Sequence, residues 1–291
     1  TSVTFDYAGA IPANSCLSIT SLTSVTIGNT ITSIGTNAFK LCTNAAFTSI
    51  IIPSSVTTIG TDAFTGVPLT TVVMNSGSVV FATIFTGVNT ITSVTFDYAG
   101  AIPANSCLSV TNLTSVTIGN TITSIGTYAL SGTGLTGTIT IPNSVLTIDD
   151  AAFYNCNGLT SVTLGNSLTT LNSHCFNSCS GLTSINFPNS ITSIGDQSFY
   201  GCNSLTTITI PESVTSIGAS AFIVCTGLTS ITFDGTPTLT SLSDHVFRYC
   251  SGVTSITIPD SVTNIGSYAL GSCSGLTSIT IPTSVTSIGS Y

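Results

Sequence analysis

Cysteine, histidine and acidic side chains are the groups in this chain able to bind metals, attack carbonyls or move protons, and their spacing decides among those chemistries. Ten cysteines occur in 291 residues. Six of them, Cys156, Cys179, Cys202, Cys225, Cys250 and Cys273, each stand three residues before an apolar residue that leads a repeat, and Cys42 lies close to that place. Such spacing builds a column of like residues, not a paired Cys-x-x-Cys knuckle for zinc. Two readings follow. The column is either a stack of buried free thiols acting as small apolar residues, or a set of disulfides between neighbouring turns, whose Cα atoms would stand near the permitted range. Cys16 and Cys107 occupy a core place, and Cys175 replaces the usual alanine. Cys175, Cys179 and the adjacent His174 have no second ligand pair, so neither a metal site nor a cofactor is expected.

The other reactive groups are equally dispersed. His174 and His245 both lie eight residues before a leader, where other repeats carry Ala151, Gln197, Ser220 and Tyr268. That is a variable place, expected at the surface. Three repeats separate the two histidines, about 15 Å at the spacing of stacked strands, so they cannot share a site. Asp, Glu, Lys, Arg and His together number fourteen. Acid–base and nucleophilic catalysis need such groups to converge, and no spacing here brings them together. The chain reads as non-enzymatic. Lys40 and Arg248 are its only basic residues, too few for a nucleic-acid footprint. No apolar run approaches the roughly 18 residues of a membrane helix, so no membrane insertion is expected. Asn112-Leu113-Thr114 is the one N-glycosylation sequon.

The element that positions these residues is a repeat, LTSITIPxSVTSIGxxAFxxCxG. Its leading apolar residue falls at Leu22, Phe47, Leu69, Ile91, Leu113, Leu135, Leu159, Leu182, Leu205, Leu228, Val253 and Leu276. With the leaderless residues 1–21 this makes thirteen units. Within one unit, Leu205, Ile208 and Ile210 are apolar, and the last of them alternate with Thr207 and Thr209 as a half-buried strand should. Pro211 follows, as Pro does at 53, 142, 188, 259 and 282, and suits a strand end. A glycine then recurs at 35, 60, 126, 195, 218, 266 and 289, where a tight corner is expected to need positive φ. No unit can bury its own apolar face. Stacked units can, through a parallel ladder about 60 Å long.

Composition agrees with a packed array and excludes a disordered one. Hydrophobic residues make up 42%, charged residues only 4%, and the net charge is −8. Ser and Thr supply 99 residues, yet the apolar ones are abundant and periodic, which a disordered polar tract does not offer. Residues 1–40 and 92–131 match at 35 of 40 positions, which points to duplication of a four-unit block. Units 69–90 and 91–112 lack the AFxxC segment and are expected to form a local irregularity or bend. Residues 1–291 are expected to be one solenoid without internal boundaries. Because neither terminal unit carries a polar cap, the chain is expected to be an internal slice of a longer array.

The string LTSITIPxSVTSIGxxAFxxC resembles the BspA-like class of leucine-rich repeats, over nearly the whole chain and best over 135–291. That resemblance implies a mainly β repeat solenoid of about thirteen coils, a right-handed leucine-rich-repeat superhelix with a parallel sheet on one face. It also implies extracellular or cell-surface display, adhesion, and binding to host or matrix proteins, without catalytic residues.

The outward strand places are the candidate contact face. They carry Ser24 and Thr26, Ser93 and Thr95, Ser115 and Thr117, Ser161 and Thr163, Thr207 and Thr209, Ser230 and Thr232, Ser255 and Thr257, and Ser278 and Thr280. Stacking turns them into two hydroxyl ladders. They serve solubility and strand propensity, or contact with a protein or glycan, or the ordering of water as in ice binding, although Ile51, Val73 and Asn186 interrupt the columns. The functional expectation is a structural or adhesive surface protein, able to form filaments if open ends stack on each other. The alternatives are a binding module using the sheet face and an ice-binding array.

Overall fold

Each repeat spends its residues on three sides of one coil in a computed structural model, which describes residues 1–290. The first side is the expected strand. In Thr207–Ile210 the inward Ile208 and Ile210 are buried and the outward Thr207 and Thr209 exposed. Thirteen such strands, from Ser2–Phe5 to Ser278–Thr280, follow one another along the chain and delimit twelve full turns. They fall into five sheets of two to four strands, and within each sheet neighbours pair in parallel with like residues on like, as Ser93 on Ser115, Val94 on Val116 and Thr95 on Thr117.

After the proline corner the chain forms a second, shorter ladder. It comprises twelve strands, from Gly9–Ile11 to Ser287–Ile288, many only two residues long. Ile194 pairs with Ile217 there, again in parallel. The sheet expected on one face is therefore joined by a second.

The third side has no strands but is still hydrogen-bonded coil to coil. Gln197 N–H donates to the Ala219 carbonyl at 3.0 Å, Phe199 to Ala221 at 2.8 Å and Gly201 to Ile223 at 2.9 Å. Alternate residues bond forward because two residues per coil, four apart, take left-handed conformations. Pairs such as Asn14 and Ser18, His174 and Ser178, and Tyr268 and Ser272 all have φ between 54° and 61°. A non-glycine residue there costs about 1–2 kcal/mol, which the repeated coil-to-coil hydrogen bonds offset.

The corner glycines are explained differently from the expectation. Gly35, Gly60, Gly126, Gly195, Gly218, Gly266 and Gly289 do not adopt positive φ. A Cβ on any of them would instead strike the preceding coil, at the backbone nitrogen of Ala13, Thr36, Ala104, Ser173, Asp196, Asp244 or Ser267, at 2.8 Å or less. These glycines permit close backbone approach.

Inside the coils the buried side chains form one continuous core. Its axis is a phenylalanine stack. Phe153, Phe176, Phe199, Phe222 and Phe247 follow one another at centroid separations of 5.1, 5.6, 5.2 and 5.5 Å. The irregular units do not interrupt the first ladder, where Ile52, Met74 and Phe96 pair in register. The irregularity lies beyond it: no short strand forms between Thr71–Met74 and Ser93–Phe96, and a one-turn helix, Phe81–Ile84, opens the third side, where Ala82 N–H donates to the Ser106 carbonyl of the next coil at 2.6 Å. A separate aromatic stack runs through Phe39, Phe64 and Phe85, with centroids 5.4 and 5.2 Å apart.

Candidate functional site

Hydroxyl groups do two separate jobs, decided by place rather than type. The threonine after most leaders bonds back to the coil before it: Thr183 Oγ1 donates to the Thr160 carbonyl at 3.0 Å, Thr206 to Thr183 at 3.3 Å and Thr229 to Thr206 at 3.1 Å. A serine after the proline corner does the same, as Ser190 to Leu168 at 2.6 Å and Ser213 to Ile191 at 2.6 Å. A third set precedes the second ladder, with Thr192 on Thr169 and Thr215 on Thr192. These hydroxyls commit their one donor to backbone carbonyls at the corners.

The sixteen outward hydroxyls of the first ladder differ. Ser93, Thr95, Ser161 and Ser230 are half-buried, and the other twelve are exposed. Among the described residues only Thr209 and Thr232 of this set bond to other protein groups, chiefly to each other at 2.9 Å. The other hydroxyls make no hydrogen bond to another described protein group. The pairing sets Thr207 beside Ser230 and Thr209 beside Thr232, Ser255 beside Ser278 and Thr257 beside Thr280, and Thr140 beside Thr163. Ser24 and Thr26 pair with Ser2 and Thr4 in the first coils. Ile51, 54% exposed, breaks the outer column there. Between residues 95 and 166 the face deepens into an open groove of about 1020 Å³, walled by Thr95, Thr117, Thr140 and Thr163 and rimmed by Asp97, Asn120, Asn143 and Asn166.

All ten cysteines are buried free thiols. The geometry gives the reason. Each thiol of the column donates to the carbonyl of the core residue one coil back, as Cys179 to Phe153 at 3.1 Å, Cys202 to Phe176 at 3.3 Å, Cys225 to Phe199 at 3.2 Å and Cys273 to Phe247 at 3.1 Å. Burial pushes the Cys225 thiol up to about 12, partly opposed by a hydrogen bond from the Cys202 backbone. Only the thiolate is nucleophilic. We expect no thiol to react with a disulfide reagent at pH 8 in the folded protein and all ten to react once it unfolds. A native thiol titration that counts even two equivalents would contradict this burial.

The third side collects the chemistry that the strands lack. Lys40, His174, His245, Arg248 and the exposed Tyr128, Tyr154, Tyr200, Tyr249 and Tyr268 all stand on it. Lys40 pairs with Asp62 at 2.8 Å and holds that carboxyl below the usual carboxylate range. His174 Nδ1 lies 3.0 Å from Asn177 Nδ2. His245 stacks on Tyr268, with centroids 5.2 Å apart. The two histidines belong to different coils, and each is half-buried. Among the described residues, no three metal-binding side chains converge and no helix is long and apolar enough to cross a membrane. The histidine place is legible in the sequence as variable. The aromatic cluster around Arg248 is not, although one repeat length separates His245 from Tyr268 and is signal enough to set them side by side.

Among solved structures, the chain is similar to a leucine rich cell surface protein from Faecalibacterium prausnitzii A2-165, with 26% identity, 98% of this chain and 82% of that chain covered, and a TM-score of 0.47. A leucine-rich repeat protein from Eubacterium ventriosum ATCC 27560 has 22% identity over 99% and 88% of the two chains, at a TM-score of 0.40. The pneumococcal vaccine antigen PcpA has 17% identity over 100% and 92%, at a TM-score of 0.35. No curated protein matches. The family assignment rests instead on the repeat itself. The sequence family described as BspA type leucine rich repeat region matches in overlapping stretches, 10–136, 100–226, 131–252 and 227–291, and the coils set out above are those repeats: the chain belongs to the BspA type leucine-rich repeat family.

Proposed function

We propose that this chain is a non-enzymatic adhesive scaffold, displayed at a cell surface, that binds its partner through the hydroxyl face of the first ladder. The observation that carries the reading is the set of outward Ser and Thr side chains whose hydroxyls have no protein partner while those at the corners do. A rigid array of free donors and acceptors loses little conformational freedom on binding. The partner is a protein or glycan of a cell surface or matrix. The groove between Thr95 and Asn166 favours an uncharged polysaccharide, because hydroxyl and amide groups dominate its wall and rim. Surface display is the setting that the family resemblance implies. Ice binding is disfavoured by Ile51, Val73 and Asn186, which break the regular columns that a lattice match needs.

The test is a paired substitution, Thr117→Glu with Thr163→Glu, two coils apart and both exposed. Screened against neutral oligosaccharides and matrix glycoproteins, the variant should bind roughly tenfold more weakly or worse. Its melting temperature should barely move, since surface changes of this kind stay within about 0.5 kcal/mol. Binding that survives the two charges unchanged would remove the hydroxyl face from the interaction.

A further inference from the structure

We infer that Arg248, clamped between Tyr249 and Tyr268 on the third side of the coils, is a binding site for the carboxylate of an acidic sugar. The guanidinium carbon lies 4.6 Å from the Tyr249 ring centroid and 4.7 Å from that of Tyr268. Its Nη2 donates to the Tyr249 hydroxyl at 3.0 Å, and its Nη1 stands 3.5 Å from His245 Nδ1. These contacts fix the plane of the cation without neutralising it. Lys40 has its carboxylate, and that is the only ion pair among the described residues. Arg248 has none, in a chain with ten acids. Each Nη carries a further N–H, so the end of the fork remains open to a bidentate acceptor.

His245, Tyr249 and Tyr268 hold left-handed positions, with φ of 58°, 63° and 54°, as Tyr128, His174 and Val224 do in other coils. Around Arg248 each of these positions carries a ring: Tyr249 and Tyr268 form the clamp, and His245 stacks on Tyr268 with centroids 5.2 Å apart. Tyr and Arg are the side chains that dominate recognition surfaces, because they bury much area with little loss of freedom.

A sugar fits the surroundings better than an acidic peptide. An extended peptide has no strand edge to join here, since His245 and Tyr249 N–H already donate to Ser267 and Gly271 of the next coil at 2.9 Å. The site is separate from the hydroxyl face and stands whether or not that face binds.

The experiment titrates the protein, at low ionic strength to limit screening, with sialyllactose, lactose and an acetylated glutamyl dipeptide, read by calorimetry and NMR. Sialyllactose should bind at least about tenfold more tightly than lactose, and Arg248→Gln should remove that difference. Tyr249→Phe keeps the ring and loses one hydrogen bond, so it should weaken binding by roughly three- to tenfold; this milder variant keeps the test valid if Arg248→Gln disturbs folding. Thr117→Glu with Thr163→Glu should leave sialyllactose binding intact, which separates this site from the hydroxyl face. Equal affinity for lactose and sialyllactose, no binding of sialyllactose, or retention of its binding by both Arg248→Gln and Tyr249→Phe overturns the site. Tighter binding of the dipeptide than of sialyllactose overturns the sugar.

Discussion

Replacing Phe199 by alanine should destabilise the middle of the array by about 3–5 kcal/mol, the usual cost of deleting a buried phenylalanine side chain. Phe199 is fully buried. It lies between Phe176 at 5.6 Å and Phe222 at 5.2 Å, with the edge of Phe187 at 5.7 Å. The substitution therefore removes three aromatic contacts and leaves a cavity between two coils that are pinned above and below by backbone ladders and cannot collapse into it. Because each coil contacts mainly its neighbours, the loss should be local. Hydrogen exchange should accelerate from Cys175 to Cys225, while amides around Phe39 and Phe64 keep their protection. A denaturant melt should split, with an early phase from the coils around residue 199. A single unshifted transition would mean that the stack contributes little to the coupling between coils.

The same locality explains what the sequence makes legible. Like-on-like stacking writes each core column into the chain at a fixed period, so the places of Phe199, Phe222 and Cys225 can be read from spacing alone. The outward Thr207 and Thr209 follow from strand alternation. Other features leave no such trace. The second ladder escapes a reading of periodicity because Ser216–Ile217 is too short to alternate. Thr206 and Thr207 are adjacent and chemically identical, yet the first bonds to the Thr183 carbonyl and the second faces solvent. The left-handed pairs are hidden because coil-to-coil hydrogen bonds impose the conformation, so that His174, Val224 and Tyr268 occupy it as readily as Asn37 does. For the candidate contact residues, alternation is enough to assign the correct face and spacing. The clamp around Arg248 needs the exact coil length, since its parts come from two successive repeats.

Gly218 carries the second large effect, and its sign is the informative part. Its φ is not positive, so an alanine there would ordinarily stabilise by about 0.4–1 kcal/mol, through a less flexible unfolded chain. The preceding coil reverses this. An added Cβ would lie 2.6 Å from the Gly195 carbonyl carbon and closer still to the Asp196 nitrogen. Both are backbone atoms, fixed by the ladder that joins Ser193 to Ser216 and Ile194 to Ile217. They cannot rotate away as a side chain would. Gly218→Ala should therefore cost about 1–2 kcal/mol and Gly218→Val about 3 kcal/mol, as overpacking does. The chain contains its own control. Asp149, Asn172 and Ser243 occupy the same corner in their coils, and Ser243 Oγ donates to the Ile217 carbonyl at 2.5 Å. A side chain at this corner is tolerated where its coil is already spaced for it. Ser243→Gly should then cost only about 1 kcal/mol, the value of the lost hydrogen bond. Urea melts of the three variants decide the matter: if Gly218→Ala is as stable as the parent or more so, the corner glycines are not there for close approach.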